Sequence, residues 1–185
     1  MSSQTPSQTV GPFFSHALTP SGNGHAPIAG RQLADERTPG TLIRIEGRVL
    51  DGAGHPVTDA LVEIWQARHD GAYPEGSDAF RGFGRASTDA EGRFWFQTVK
   101  PGALPGNGAP HVNTAVFARG MLNHAFTRIY FSDEQAENSR DPVLTSVDPT
   151  RRKSLVASLR DLAGPPVYEF EICLQGAHET VFFDA

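Results

Sequence analysis

From residue 41 onward the chain reads as short alternating runs, each cut off by glycine or proline. That punctuation leaves room for strands but not for long helices. Leu42 to Leu50 alternates with a period near two, and Asp51-Gly52-Ala53-Gly54 turns the chain behind it. Leu61 to Ala67 makes a second run. Asp89-Ala-Glu-Gly92 turns into Arg93 to Val99, which Lys100-Pro101-Gly102 closes. Val112 to Ala118, Phe126 to Phe131, Val167 to Leu174 and Thr180 to Phe183 complete the expected strands. Helical signal is thin. Ser132 to Ala136 reads as a short turn, and Asp148-Pro149 predicts a helix running through Ser158. Nineteen glycines and fourteen prolines in 185 residues, close to one in six, are too many for a helical bundle. The 38% hydrophobic share still suffices for a packed core. The expectation is one all-β domain over residues 41–185, a sandwich or barrel with little helix.

Residues 1–40 differ. Thr5-Pro6, Gly11-Pro12, Thr19-Pro20, Ala26-Pro27 and Thr38-Pro39 fix φ repeatedly, so an extended, irregular N-terminal arm is expected. Disorder is the plain alternative. Against it, Val10 and the Phe13-Phe14 pair are costly to leave in water, which suggests an arm laid on another surface such as a second subunit.

Sixteen Lys+Arg against twenty-one Asp+Glu give a net charge of −5, with no basic stripe, so no nucleic-acid partner is expected. No apolar run approaches the ~20 residues of a membrane span, and the first residues lack the features of a signal peptide. Cys173 is the single cysteine, which excludes an internal disulfide and fits a cytoplasmic protein. It sits in an alternating run and reads as a buried structural thiol.

The common catalytic motifs are absent. Four Gly-x-Gly pairs (Gly22/Gly24, Gly52/Gly54, Gly82/Gly84 and Gly106/Gly108) never reach a third glycine, and they read as turn glycines. There is no Gly-x-Ser-x-Gly elbow and no His-Glu-x-x-His helix. The seven histidines include no His-x-His pair. Trp65 and Trp95, each flanked by apolar strand residues, read as core or interface residues.

Several ordered segments together resemble the intradiol ring-cleaving dioxygenases. They are Thr5-Pro-Ser-Gln-Thr-Val-Gly-Pro12, Gly47-Arg-Val-Leu-Asp-Gly-Ala-Gly54, Leu61-Val-Glu-Ile-Trp-Gln-Ala67 and Thr98-Val-Lys-Pro-Gly102. Ala109-Pro-His-Val-Asn113, Thr127-Arg-Ile-Tyr-Phe-Ser-Asp133 and Gln175-Gly-Ala-His-Glu-Thr-Val-Phe-Phe-Asp184 carry the likeness to the C-terminus. The resemblance implies a β-sandwich core of the intradiol dioxygenase type. It also implies a mononuclear Fe(III) site that splits a catechol between its hydroxyl-bearing carbons with O2 as co-substrate. Two tyrosines and two histidines hold the ferric ion in that family, hard phenolates suiting Fe(III). Tyr73 and His111 match one ligand of each kind, whereas Leu104 and Asn113 stand where the others are required.

With two of four ligands missing, the resemblance points to the member of the family that has lost its iron and pairs with an iron-bearing β subunit. No metal and no catalytic residue is then expected in this chain. Its role is to shape a pocket for 3,4-dihydroxybenzoate at the subunit interface, within a higher-order oligomer of such pairs. By the same resemblance Thr9, Gly11 and Pro12 form pocket wall, and Arg119 meets the substrate carboxylate with guanidinium geometry suited to it. Two rivals remain at this level. One is a self-sufficient catechol dioxygenase with an altered shell using Tyr73 and His111. The other is a non-enzymatic β-sandwich binding module. Arg128 and Arg140 fit either subunit pairing or surface solvation.

Overall fold

The computed structural model describes residues 11, 18, 19, 24, 26–76, 78–106, 108–160 and 164–184. Eight strands form one nearly closed sheet folded into two layers: β1 (Leu42–Leu50), β2 (Leu61–Gln66), β3 (Phe83–Ser87), β4 (Arg93–Val99), β5 (His111–Phe117), β6 (Ala125–Phe131), β7 (Val156–Arg160) and β8 (Val167–Cys173). One layer runs β3-β2-β5-β6, the other β7-β8-β1-β4. They meet where β6 and β7 pair in parallel at Tyr130↔Val156 and Phe131↔Ala157. β1 and β8 also pair in parallel; every other pairing is antiparallel. This is the expected all-β sandwich.

Alternation builds the core. β1 turns Ile43, Ile45 and Val49 inward and Arg44, Glu46 and Arg48 outward. Val62 and Ile64 of β2, Val112 and Val116 of β5, and Ile129 and Phe131 of β6 meet them from the facing layer. Phe94 and Phe96 of β4 and Phe170 and Ile172 of β8 fill the gap between the layers. Gly47 also points inward, and no side chain fits there. A Cβ would lie 2.1 Å from the Phe170 carbonyl oxygen and 2.6 Å from the Phe94 ring. Gln66, fully buried, ties the layers together: its amide donates to the Val99 carbonyl at 2.8 Å, and its oxygen accepts from Thr98 at 2.8 Å. A buried polar group is tolerable only when bonded in this way.

The open edge between β3 and β4 is strapped. The Gly30 carbonyl accepts from Arg85 N–H of β3, the Arg31 carbonyl accepts from Gln97 N–H of β4, and Leu33 N–H donates to the Gln97 carbonyl. Unpaired sheet edges invite association, and this strap covers two of them at once. The end of the expected N-terminal arm is thus part of the sandwich's closure.

Several local expectations give way to tertiary pairing. The helix predicted from Asp148 to Ser158 does not form. Asp148 caps only a turn, a 3-10 turn covers Arg152–Leu155, and Val156 then enters β7. Ser158↔Glu169 and Leu159↔Tyr168 pairing to β8 outweighs weak helix propensity there. β3 contains Gly84, read above as a turn glycine; it is extended because it pairs with Ile64 of β2, and Leu33 packs 2.6 Å from where a Cβ would sit. Thr180 to Phe183 forms no strand, only a bridge from Phe183 to Phe126. The short helices α1 (Gln135–Asn138) and α2 (Pro142–Ser146) follow β6. Cys173 ends β8 half-buried, and burial raises its thiol pKa.

Candidate functional site

The two ends of β5 carry the residues that matter. At its start, His111 and Asn113 lie on the outer face of the layer, the inner face being taken by Val112, Thr114 and Val116. Register places Trp65 beside Asn113 on one side and Arg128 on the other. Tyr73, from the loop after β2, stacks on Trp65 with ring centroids 5.8 Å apart and planes 12° apart. Asn113 Nδ2 donates to the Tyr73 hydroxyl at 2.9 Å. Trp65 is therefore a half-exposed stacking partner and not a core residue, being 39% exposed. Trp95 is half-buried on the other layer beneath two arginines.

His111 is only 4% exposed although it faces outward. A second apolar cluster of Ala109, Tyr130, Leu144, Leu155 and Val181 covers this end of the sheet. The His111 ring lies 5.5 Å from that of Tyr130, and its Nδ1 is 2.8 Å from the Ala109 carbonyl oxygen. Burial lowers the imidazole pKa, keeping it neutral, and raises the Tyr130 hydroxyl to about 12. Tyr130 donates to Asp141 at 3.0 Å. Asp141, almost fully buried, also accepts from Ala109 N–H at 2.9 Å and caps α2 through Val143 and Leu144 N–H. Nothing in the sequence marks Asp141 beyond the Asp-Pro pair that opens α2.

These donors do not fit a ferric ion. Leu104 has no donor atom in its side chain; its backbone N–H is bonded to the Gly108 carbonyl at 2.7 Å. Asn113 directs its N–H at Tyr73, so that hydroxyl is already engaged as an acceptor. Among the described residues no group of three or more His, Cys, Asp or Glu side chains is placed to hold a metal.

The far end of β5 is different. Arg119 follows the strand, and Asp59 precedes β2. Extending the antiparallel Leu61↔Phe117 register by two residues sets them opposite each other. Arg119 Nε donates to Asp59 Oδ2. Among the described residues its two Nη atoms have no partner, so the outer fork of a 64% exposed guanidinium side chain remains available to an anion. Nearby, the His124 ring lies tilted against Phe117 and edge-on to Phe126, with centroids 5.1 and 4.4 Å apart. The six residue-to-residue steps from His111 to Phe117 span ~20 Å of strand, so Arg119 does not serve the Tyr73–Asn113 cluster. Of the expected arm positions, Gly11 is exposed, and Thr9 and Pro12 lie outside the described residues.

This fold with these positions defines a class. The family model described as Dioxygenase matches residues 9–176, and the chain belongs to this family, that of the intradiol dioxygenases. Within it, the chain is 44% identical to the protocatechuate 3,4-dioxygenase alpha chain of Burkholderia cepacia, covering 98% of this chain and 97% of that one. Identity to the beta chain from the same organism is 33%, over 76% of this chain and 67% of that one. Among solved structures, the dioxygenase domain of a dioxygenase–carbohydrate-binding fusion from Streptomyces sp. SirexAA-E superposes with TM-score 0.65 at 28% identity, covering 83% of this chain and 93% of that one. No helix among the described residues is long and apolar enough to cross a membrane.

Proposed function

We propose that this chain is the iron-free half of a two-chain dioxygenase, paired with a β subunit that holds Fe(III) and resembles the protocatechuate 3,4-dioxygenase beta chain. The pair opens 3,4-dihydroxybenzoate between its two hydroxyl-bearing carbons. That C–C bond breaks, and both atoms of O2 enter the product, 3-carboxy-cis,cis-muconate. The observation that carries the reading is the donor set at Tyr73, Leu104, His111 and Asn113, which keeps the family's fold while offering no ferric shell. Greater identity to the alpha chain than to the beta chain supports it.

In this reading residues 1–40 form the arm that reaches the subunit interface, its end strapped onto the sandwich domain of residues 41–185. Thr9, Gly11 and Pro12 line the shared pocket. Arg119 presents its free fork to the substrate carboxylate, with Asp59 holding the guanidinium from behind. Charge-assisted, two-pronged contact orients an aromatic acid without touching its reacting carbons. The chain works as a soluble cytoplasmic subunit within a larger oligomer of such pairs.

The test is to purify the chain alone and with its β partner, then measure bound iron and O2 uptake with 3,4-dihydroxybenzoate. Iron and activity are expected only with the partner. Stoichiometric iron and ring cleavage by the isolated chain would overturn the proposal. A stable chain that forms no heteromer favours the binding-module alternative.

A further inference from the structure

The outer face of the β4-β1-β8-β7 layer forms the floor of a trough of about 1480 Å³. That exceeds the ~300–1,000 Å³ of small-molecule sites. Its floor is a charge ladder. Arg48 pairs with Glu171, Arg44 with Glu46 at 2.5 Å, and Arg160 bridges Glu46 at 3.0 Å and Glu169 at 2.8 Å. Arg151 reaches Glu179 at the rim. The remaining acid, Asp89, accepts from the backbone N–H of Glu91 and Arg93.

Every carboxylate in the trough is therefore engaged, but not every cation. Among the described residues the Arg93 and Lys153 side chains have no partner. Arg31 has only the Trp95 ring, with its Cζ 4.6 Å from the ring centroid and Arg44 at 4.1 Å over the same ring. The buried Nε of Arg160 lacks a hydrogen-bond partner as well. Seven Lys or Arg side chains line the trough against five Asp or Glu, in a chain whose net charge is −5. A cation-rich recess on an acidic molecule is a site for anions.

We propose that this trough docks an acidic, extended segment of a partner polypeptide, whose carboxylates meet Arg31, Arg93 and Lys153 while an apolar or aromatic side chain lies on Trp95. A second copy offering the same face would set cations against cations, so the contact is heterologous. Nucleic acid fits less well, because its densely spaced phosphates would also face Glu169 and Glu171. A peptide with spaced carboxylates avoids them. The proposal goes beyond the subunit pairing proposed above and does not depend on it.

The test uses the full chain and a fluorescein-labelled peptide of about ten residues, alternating Glu and Ser around one central Leu, ~33 Å when extended. Fluorescence anisotropy is expected to show saturable binding that changes Trp95 emission and weakens as salt rises from about 50 to 200 mM. The exposed double variant Arg93→Glu/Lys153→Glu is expected to lose about tenfold or more in affinity, equivalent to ~1.4 kcal/mol. A peptide with Gln in place of Glu should not bind. Absence of binding, or affinity unchanged by the double reversal, overturns the proposal. So does an oligonucleotide that binds as tightly as the peptide, which would make the trough a general polyanion site. Self-association abolished by the same reversal would assign it to a second copy and also overturn it.

Discussion

The two ends of β5 share one strand and have opposite fates. At His111 the outer face is roofed by Tyr130, Leu144, Leu155 and Val181, and His111 Nδ1, the Tyr130 hydroxyl and the Asn113 amide N–H each have a partner within the chain. At Arg119, among the described residues, half of the guanidinium is unsatisfied and open. A strand delivers side chains to fixed places at both ends, but chemistry depends on whether those side chains have already been satisfied internally. The closed end resembles a core, and the open end resembles an interface.

The largest effect should come from breaking the closed end. Asp141→Ala removes one acceptor from four donors, three of them backbone N–H groups. Leaving buried donors unpaired and losing a helix cap should cost about 3 kcal/mol. Urea unfolding measures this; a loss under about 1 kcal/mol would show that the network is not what holds the roof. Arg119→Ala comes next and should behave in the opposite way. Stability should stay within ~0.5 kcal/mol, while kcat/KM of the heteromer for 3,4-dihydroxybenzoate falls about 10- to 100-fold, the worth of a bond between charged groups. Arg119→Lys is expected to recover only part of this, because the two-pronged contact is lost. Unchanged kinetics in Arg119→Ala would remove its assigned role.

Asp59→Asn is a finer probe of the same end. The neutral amide holds the guanidinium less firmly, so KM should rise about threefold with kcat unchanged, roughly 0.7 kcal/mol. A fall in kcat alone would mean that Asp59 does something other than position Arg119. The smallest effect belongs to Tyr73→Phe. It removes the hydroxyl that accepts from Asn113 at a partly exposed site, and should cost no more than about 1 kcal/mol without changing heteromer activity. If activity falls, the closed end is not inert and the contrast between the two ends fails.

Legibility followed the distance over which each feature is determined. β1 and β4 coincide with their alternating runs because one face of each is buried and the other is wet, and that periodicity is written locally. β3 and β7 were illegible for the complementary reason. Phe83–Ser87 has no alternation of apolar side chains, and Val156–Arg160 sits behind a helix-start signal. Both are strands because of the neighbours they pair with. At the site, the resemblance marked Tyr73, His111, Asn113 and Arg119, but neither it nor the local pattern marked Asp59 or Asp141. Each is 60 or 11 residues from the side chain it serves.

The sequence by itself determined an all-β chain, the facing of most strands, and a resemblance that expects four iron donors and finds two of those positions held by Leu104 and Asn113. Only the tertiary structure decided which of those positions are closed off and which stay open. It joined Asn113 to Tyr73, buried His111 beneath Tyr130, and set Asp59 behind Arg119. The reason is physical: alternation is fixed by each residue's own neighbours along the chain, whereas the satisfaction of a polar side chain depends on groups brought near only when two layers pack and their strands find register.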